Sequence, residues 1–253
     1  MQEKENKWLS IAKKAAVKAG EEILNIYQKD FKVNYKKDNS PLTIADQRAN
    51  DVIEKILSET SIPILSEEGK QIDFEERKNW NLLWIVDPLD GTKEFVKRNG
   101  EFTVNIALIK NGSPIIGVIY VPVSGCLYFA SSKGTFKEHH GDKIQLPTIT
   151  KERNFRIVGS RSHLSPETEN YIDKLRKQKG EVEIVSMGSS LKICLVAEGF
   201  ADVYPRFAPT MEWDTAAGHA IAKYAGKSLI DLETNSEMIY NRPILKNNWF
   251  IVR

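Results

Sequence analysis

The sequence has few residues that could form disulfides or bind zinc, and it lacks long apolar runs. Its only two cysteines, Cys126 and Cys194, show no metal-ligand or redox spacing. We therefore expect no disulfide framework and a reducing compartment. No segment approaches the roughly 18 apolar residues of a membrane-spanning helix. The formal net charge is only +2, from 36 basic and 34 acidic residues, which excludes a protein that coats polymeric nucleic acid through bulk charge.

The N-terminal residues are charged, and lysines continue through the helix predicted after them. This pattern does not fit a signal peptide, so it predicts a cytoplasmic protein. Peripheral attachment to the inner membrane stays open, because a lysine-rich helical face is either solvated or bound to lipid. The length of 253 residues allows one large domain or two small ones.

Hydrophobic periodicity predicts an α+β first half and an alternating second half. In the first half we expect helices near 8–28 and 43–60 and strands near 82–86, 102–110, 114–121 and 125–131. In the second half we expect strands near 155–159 and 182–186 and helices near 166–178, 190–198 and 215–225. A polar stretch at 148–154 separates the halves, which we assign as domains 1–150 and 151–253.

The stretch from Trp84 to Phe95 delivers two carboxylates, a glycine and a hydroxyl from the end of an apolar strand. Pro88 restricts Asp87 to an extended conformation, so a sharp turn there would bring Asp90 back beside Asp87. Two carboxylates that face one point repel each other, and a divalent cation between them reverses that cost. Oxygen ligands of this kind suit Mg²⁺ better than zinc. The alternative is that Asp-Pro and Asp-Gly are ordinary turn dipeptides.

Two other segments also carry acids where an element begins or ends. Glu67 and Glu68 follow the short apolar segment from Ile62 to Leu65, and Asp214 opens a helix rich in small residues. For Asp214 the alternative is an N-cap, a role in which aspartate contributes about 1 kcal/mol.

With these motifs in place, the sequence resembles the Mg²⁺-dependent, lithium-sensitive phosphatases that include inositol monophosphatase and 3′(2′),5′-bisphosphate nucleotidase. The motifs that carry the resemblance occur in the family's order: Thr43 to Asp46, Ser66 to Gly69, Asp87 to Thr92 and Trp213 to Gly218. The resemblance implies a layered α-β-α-β-α sandwich with two subdomains and the site between them. The first half would carry most metal ligands, and the second would carry Asp214 and the nucleotide-binding segments.

The resemblance also assigns the metal ligands. Glu67, Asp87 and the backbone carbonyl of Leu89 would hold one Mg²⁺, and Asp87, Asp90 and Asp214 would hold another. A third ion beside Glu67 is left open, so two or three ions are expected.

By the same resemblance, Thr92 and Asp46 would polarise a metal-activated water, with Glu67 completing the activation. Phosphate oxygens would accept from the N–H groups of Gly91 and Thr92. Asp46 has an alternative role as a first-turn acid that is favourable to the helix dipole. For Glu68 three roles stay open: a direct metal ligand, a group that hydrogen-bonds to the ligands, or a solvated neighbour.

Substrate residues follow from the resemblance and from one helix start. Inositol monophosphatases usually carry Thr-Asn-Phe where this chain has Lys93-Glu94-Phe95, and Ser160 to His163 resembles the nucleoside-binding segment of the nucleotidases. The segment from Gly188 to Lys192 opens a predicted helix, so its amides and Lys192 suit an anion. Arg206 would bind the same anion or pair with a neighbouring acid.

The expected function is Mg²⁺-dependent hydrolysis of the 3′-phosphate of adenosine 3′,5′-bisphosphate, with 3′-phosphoadenylyl sulfate as a further candidate substrate. The nearest alternative is an inositol monophosphatase, which differs only in the substrate pocket. An alternative from another class is a non-catalytic phosphate- or nucleotide-sensing module on the same fold. The expected partner is a small nucleotide, and the expected state is a monomer or homodimer.

Overall fold

The structure is a computed structural model that describes residues 2–28, 33–35, 41–148, 153–159 and 165–253. Within these ranges the helices are α1 (Gln2–Tyr27), α2 (Ile44–Leu57), α3 (Phe74–Arg77), α4 (Thr92–Val96), α5 (Pro166–Lys179), α6 (Leu191–Glu198) and α7 (Glu212–Tyr224). The strands are β1 (Val33–Tyr35), β2 (Pro41–Thr43), β3 (Ile64–Ser66), β4 (Leu82–Asp90), β5 (Thr103–Lys110), β6 (Ser113–Val121), β7 (Cys126–Ser131), β8 (Gly134–His139), β9 (Asp142–Leu146), β10 (Phe155–Gly159), β11 (Val182–Ser186), β12 (Tyr204–Arg206), β13 (Leu229–Asp231), β14 (Ser236–Glu237) and β15 (Phe250–Val252).

The first two helices are present, but their boundaries differ from the prediction. Helix α1 begins at Gln2, six residues before the predicted start, because tertiary contacts hold its polar first turns. The Gln2 amide donates to the Ser132 hydroxyl at 3.2 Å, and the Ser132 N–H donates to Glu5 Oε1 at 2.7 Å. Helix α2 begins at Ile44, since Thr43 still pairs in β2, and its last predicted turn, Ser58–Thr60, is a 3₁₀ helix.

A seven-stranded sheet in the order β3-β4-β5-β6-β7-β8-β9 forms the centre of the first half. Strands β3 and β4 are parallel, and the other neighbours are antiparallel. Along β4, Leu83 and Ile85 enter one buried cluster while Trp84 and Val86 enter another. The prediction of a strand buried on both faces is therefore confirmed.

The prediction that this strand ends at Val86 is wrong, because β4 continues to Asp90. Its pairing with β5 is irregular between Asp87 and Asp90, so Pro88 and Leu89 lie in a break of register rather than beyond the strand. Proline has no N–H to donate to the ladder of hydrogen bonds. A bulge tolerates that loss, so Pro88 is compatible with this position.

Helices cover both faces of the central sheet. Helices α1 and α2 pack on one face and α7 on the other, where a Cβ on Gly117 would lie 2.3 Å from the Ala217 carbonyl oxygen. Beyond α6 and α7 lie the parallel pair β10-β11 and the sheet β12-β15-β13-β14, against which α5 packs through Ile172 and Leu175. The chain is therefore a layered α-β-α-β-α sandwich, as expected.

The second half contains the predicted alternation of strands and helices, with one early start. Helix α7 begins at Glu212 rather than at Thr215. The hairpin β8-β9 and the short strands β12 to β15 were not predicted. A buried core cluster joins residues of both halves, such as Ile85 and Ala216, and the division at residue 150 stays a prediction. Among the described helices, none combines the length and apolar character needed to cross a bilayer.

Candidate active site

Asp87 and Asp90 reach the site from the irregular end of β4. Asp87 lies opposite Asn105 on β5, and Asp90 lies opposite Thr103. The Leu89 N–H donates to Asp87 Oδ1 at 3.1 Å, a local turn that stabilises the break in register. Both carboxylates thus remain at one edge of the sheet, although a bulge rather than the predicted sharp turn separates them.

Two further elements bring acids to the same place. Strand β3 is the parallel neighbour of β4, so Glu67, which directly follows β3, emerges beside Asp87. Helix α7 supplies Asp214. Carboxylate oxygens of Glu67, Asp87 and Asp214 all lie within 4.8 Å of one another. The three acid-bearing segments identified in the sequence therefore meet at one point.

Asp214 also has a structural role, though not the one expected. The N-cap of α7 is Met211, and Asp214 is the third helical residue, whose Oδ2 accepts from the Met211 N–H at 2.8 Å. This bond satisfies one of the free N–H groups at the helix start. It occupies one carboxylate oxygen, so Asp214 can stabilise its helix and still offer a ligand atom.

The cluster is electrostatically unfavourable without a cation. Burial raises the pKa of Asp87 well above its ordinary value, and the charges of Glu67, Asp90, Asp214 and Asp46 raise it further. Burial, followed by the charge of Asp90, raises the pKa of Asp214 to about 7. A divalent cation among these oxygens would reverse both effects. This oxygen-only, anionic set of donors therefore fits a hard cation such as Mg²⁺.

Thr92 and Asp46, which were predicted to polarise the water, and Leu89, a predicted metal ligand, lie beside the acid cluster. The Thr92 hydroxyl donates to the Leu89 carbonyl oxygen at 3.3 Å. Asp46 is 2 % exposed in the first turn of α2, close enough for its charge to raise the pKa of Asp87. Gly91 precedes helix α4 with a φ of 91°, a conformation that favours glycine. The proton path from Thr92 to Asp46 stays a prediction.

Two adjoining cavities open at these residues. The acidic cavity, of about 440 Å³, is lined by Glu67, Asp87, Leu89, Asp90, Gly91, Thr92, Lys93, Glu94, Pro209, Thr210, Met211, Asp214 and Lys246. The basic cavity, of about 190 Å³, has a lining that includes Ser189, Ser190, Lys192, Tyr204, Arg206 and Phe250. Five residues line both cavities: Asp90, Gly91, Glu94, Thr210 and Asp214.

Comparisons with protein families, curated proteins and solved structures identify relatives of this chain. The model of the inositol monophosphatase family matches residues 4–251. The chain belongs to that family. It is 49 % identical over 217 residues, 84 % of this chain and 86 % of the relative, to the 3′(2′),5′-bisphosphate nucleotidase CysQ of Escherichia coli (strain K12). It is 50 % identical over 213 residues, 82 % of this chain and 78 % of the relative, to the CysQ nucleotidase of Buchnera aphidicola.

The structure of CysQ from Bacteroides thetaiotaomicron, described as a bacterial member of the same family, has a TM-score of 0.90 to this chain. The two sequences are 53 % identical, and the match covers 98 % of this chain and 97 % of the other. The family expected from the four motifs is therefore confirmed.

In this family member the predicted anion-binding residues lie in or beside the basic cavity. Lys192 Nζ donates to the Ser189 carbonyl at 2.7 Å, and burial lowers the pKa of Lys192. Arg206 donates to the Pro209 carbonyl at 3.2 Å, and within the described part of the chain its buried Nε has no hydrogen-bond acceptor. The Gly188 N–H donates to Glu101 Oε2 at 2.8 Å, so this amide already contacts a carboxylate.

The remaining predicted residues are placed as follows. Lys93 is exposed at the wall of the acidic cavity, whereas Glu68 lines a separate surface cleft with Asn50 and Glu54. Ser160 and His163, predicted to bind the nucleoside, lie outside the described residues.

Sequence reasoning gave no role to Asn105 and placed Ser190 only within an anion-binding segment, yet both hydrogen-bond directly to the Asp90 carboxylate. Glu94, which was expected to shape the mouth of the pocket, lines both cavities. Asn105 did carry a signal in the sequence, because it is a lone amide within the apolar strand from Thr103 to Ile109. A buried polar side chain in such a strand requires hydrogen-bond partners.

Proposed function

We propose that this chain is a Mg²⁺-dependent phosphatase that removes the 3′-phosphate of adenosine 3′,5′-bisphosphate, giving AMP and phosphate. The observation that carries the proposal is the pairing of the two cavities. The acidic cavity suits a phosphate bound through cations, and the basic cavity beside it suits a second phosphate. A substrate with two phosphates matches both.

The basic cavity argues for the second phosphate through its charges. Burial lowers the pKa of Lys192, and although the charges of Asp90, Glu94 and Asp214 raise it, the net shift is downward, so a further anion would stabilise the ammonium. Arg206 lines the same cavity, and among the described residues its buried Nε has no hydrogen-bond acceptor. A phosphate would neutralise both groups and accept their hydrogen bonds. Inositol 1-phosphate carries only one phosphate, so it would leave one of the two cavities without its anion.

The acidic cavity supplies the chemistry. We propose two Mg²⁺ ions, with a third left open, held by Glu67, Asp87, Asp90, Asp214 and the Leu89 carbonyl. When bound, such cations lower the pKa of a water and stabilise the attacking and leaving oxygens of an in-line displacement. The similarity to CysQ nucleotidases over more than four-fifths of the chain supports the same assignment.

The protein's own groups orient the water and accept its proton. The Thr92 hydroxyl has lone pairs that can accept a hydrogen bond from the attacking water while it donates to Leu89. To pass the proton to Asp46, this hydroxyl must turn from the Leu89 carbonyl towards the Asp46 carboxylate. The N–H groups of Gly91 and Thr92 are the proposed donors to the phosphate oxygens.

The proposal also includes the cellular setting. Both cysteines are buried and free, which supports the expected cytoplasmic placement, since reducing compartments keep thiols unpaired. A monomer or homodimer remains the expected state.

The test is phosphate release with Mg²⁺, with and without Li⁺, from adenosine 3′,5′-bisphosphate and from inositol 1-phosphate at equal concentrations. We expect a strong preference for the nucleotide and suppression by Li⁺. The reverse preference would assign the chain to the inositol phosphatases. Binding of both compounds without phosphate release would indicate the sensing module.

A further inference from the structure

Asp90 is held by donors from two distant parts of the chain. Its Oδ2 accepts from the Ser190 N–H at 2.5 Å, from the Ser190 hydroxyl at 2.6 Å and from Asn105 Nδ2 at 3.3 Å. Two N–H groups and, when its single proton points this way, the Ser190 hydroxyl converge on one carboxylate oxygen, so they occupy its acceptor capacity. Oδ1 is then the oxygen through which Asp90 can bind a cation.

Asn105 links these donors to the central sheet. Its Nδ2 also donates to Ser190 Oγ at 2.9 Å, and its Oδ1 accepts from the Thr103 hydroxyl at 2.9 Å. The Asp90 carboxylate can only accept, so the amide nitrogen must be the end that faces it, and the Thr103 hydroxyl anchors the amide oxygen at the other end. Thr103, Asn105 and Ser190 are 0 %, 1 % and 4 % exposed, so water does not compete with these bonds.

Ser190 joins this group to the opposite side of the site. Its hydroxyl oxygen lies 2.8 Å from the Asp214 carbonyl oxygen as well as 2.6 Å from Asp90 Oδ2. The hydroxyl has one proton to donate, and it accepts the Asn105 N–H with a lone pair. Hydrogen bonds through Ser190 therefore connect the segments that carry Asp90 and Asp214.

We propose that Asn105 is a positioning residue for the metal site. It directs the Ser190 hydroxyl and its own N–H to Oδ2 of Asp90, which orients the carboxylate so that Oδ1 faces the cations. This inference rests on the proposed function, since that function assigns Asp90 as a cation ligand. Groups that hydrogen-bond to metal ligands in this way typically change metal affinity 10- to 100-fold when removed.

The test measures binding of Mn²⁺ alone, without substrate, by the loss of the free-ion electron paramagnetic resonance signal. We expect Asn105→Ala to weaken Mn²⁺ binding about 10- to 100-fold. Thr103→Val removes only the hydrogen bond from Thr103 to the Asn105 amide oxygen, so we expect a smaller loss of Mn²⁺ affinity. Thr135→Val is the control, because Thr135 is equally buried and donates to the remote Ile221 carbonyl at 2.8 Å. It should leave Mn²⁺ affinity unchanged.

A double-mutant cycle separates positioning from general stability. If Asn105 acts through Asp90, then Asn105→Ala should cause little further loss of Mn²⁺ affinity once Asp90→Asn is present. Independent, additive losses would overturn the proposal, and so would unchanged affinity in both Asn105→Ala and Thr103→Val. Should Asn105→Ala fail to fold, the cycle is run with Thr103→Val.

Phosphate release is measured separately on the wild-type protein. A wild type that binds Mn²⁺ but releases no phosphate would refute the proposed function, while the Mn²⁺ cycle would still decide the role of Asn105.

Discussion

In the acidic cavity, burial and mutual repulsion raise the pKa values of Asp87 and Asp214, whereas in the neighbouring basic cavity burial lowers the pKa of Lys192. Both cavities therefore hold charges that are unfavourable in the protein alone, but of opposite sign. The two are separated only by residues that line both, including Asp90 and Glu94. Under the proposed function these are two sides of one site, in which cations would stabilise the carboxylates and a substrate anion would stabilise the buried Lys192.

The largest expected effect comes from breaking the acidic side. Asp90→Asn should lower kcat by about 10³-fold or more, because it removes a ligand charge from a cation that contributes several kcal/mol to the transition state. The fold should persist, since the amide has nearly the same shape as the carboxylate. Phosphate release and circular dichroism would measure the two outcomes.

Asp231→Asn is the matched control for this variant. Asp231 is 4 % exposed and accepts from the Glu233 and Thr234 N–H groups, but it lines neither cavity. It should keep kcat near the wild-type value below its melting temperature. A wild-type kcat in Asp90→Asn would refute the metal assignment.

The next effect comes from breaking the basic side. Lys192→Met should lower kcat/KM for adenosine 3′,5′-bisphosphate about 10- to 100-fold, since a hydrogen bond to a charged group contributes about 1.5–3 kcal/mol. Hydrolysis of adenosine 3′-phosphate, which lacks the second phosphate, should change far less. Steady-state kinetics with both substrates would show the difference.

Lys223→Met serves as the control for Lys192→Met, because Lys223 is partly buried and donates to Ser113 Oγ away from both cavities. Equal losses on both substrates in Lys192→Met would mean that Lys192 does not contact the second phosphate.

The pH dependence of the free energy of unfolding tests the electrostatic account of the acidic cavity. The pKa of Asp214 is raised to about 7 from an ordinary 3.8, so between about pH 4 and 7 the folded protein binds more protons than the unfolded chain. Without cations, the contribution of Asp214 to the free energy of unfolding should therefore fall as pH rises through this window, by about 4 kcal/mol for a shift of about three pKa units.

Urea unfolding in EDTA, compared between the wild type and Asp214→Asn, would isolate this contribution. Saturating Mg²⁺ should remove the fall, because the cation replaces the proton among the carboxylates. A difference between the two proteins that does not vary with pH would contradict the electrostatic account of the acidic cavity.

The smallest effect is expected at the neighbour of a predicted ligand. In Glu68→Gln, the Mg²⁺ concentration for half-maximal activity should stay within about 2-fold of the wild-type value, because Glu68 lines a separate cleft. Surface substitutions away from a functional site typically change the free energy of unfolding by less than about 0.5 kcal/mol. Glu67→Gln, one residue earlier, should raise that concentration strongly. Similar effects at both positions would show that Glu68 is also a ligand.

The acids of the site could be predicted because their signal is local. Asp87 follows the apolar run Leu82 to Val86, and Glu67 directly follows strand β3. Parallel pairing of β3 with β4 then places the two acids side by side. The layered architecture was implied by the family resemblance that the motifs carry. The bulge in β4 could not be predicted, because it depends on pairing with Thr103 and Asn105 rather than on Pro88 alone.

Several strands gave no usable pattern. Residues 134–139 and 142–146 are mostly polar and form the outer edge of the sheet, where burial imposes little alternation. The strands from β12 to β15 have only two or three residues each, which is too short for a period to be read. Their positions are set by partners far along the chain.

The sequence by itself determined the family, the layered fold and the carboxylates that can hold cations, because these depend on residue type and short spacing. Only the tertiary structure decided what surrounds those carboxylates. Ser190 reaches Asp90 across 100 residues of chain, and Asn105 reaches Ser190 across 85. Contacts at such separations arise when the central sheet packs against α6 and α7, so no local pattern of residues encodes them.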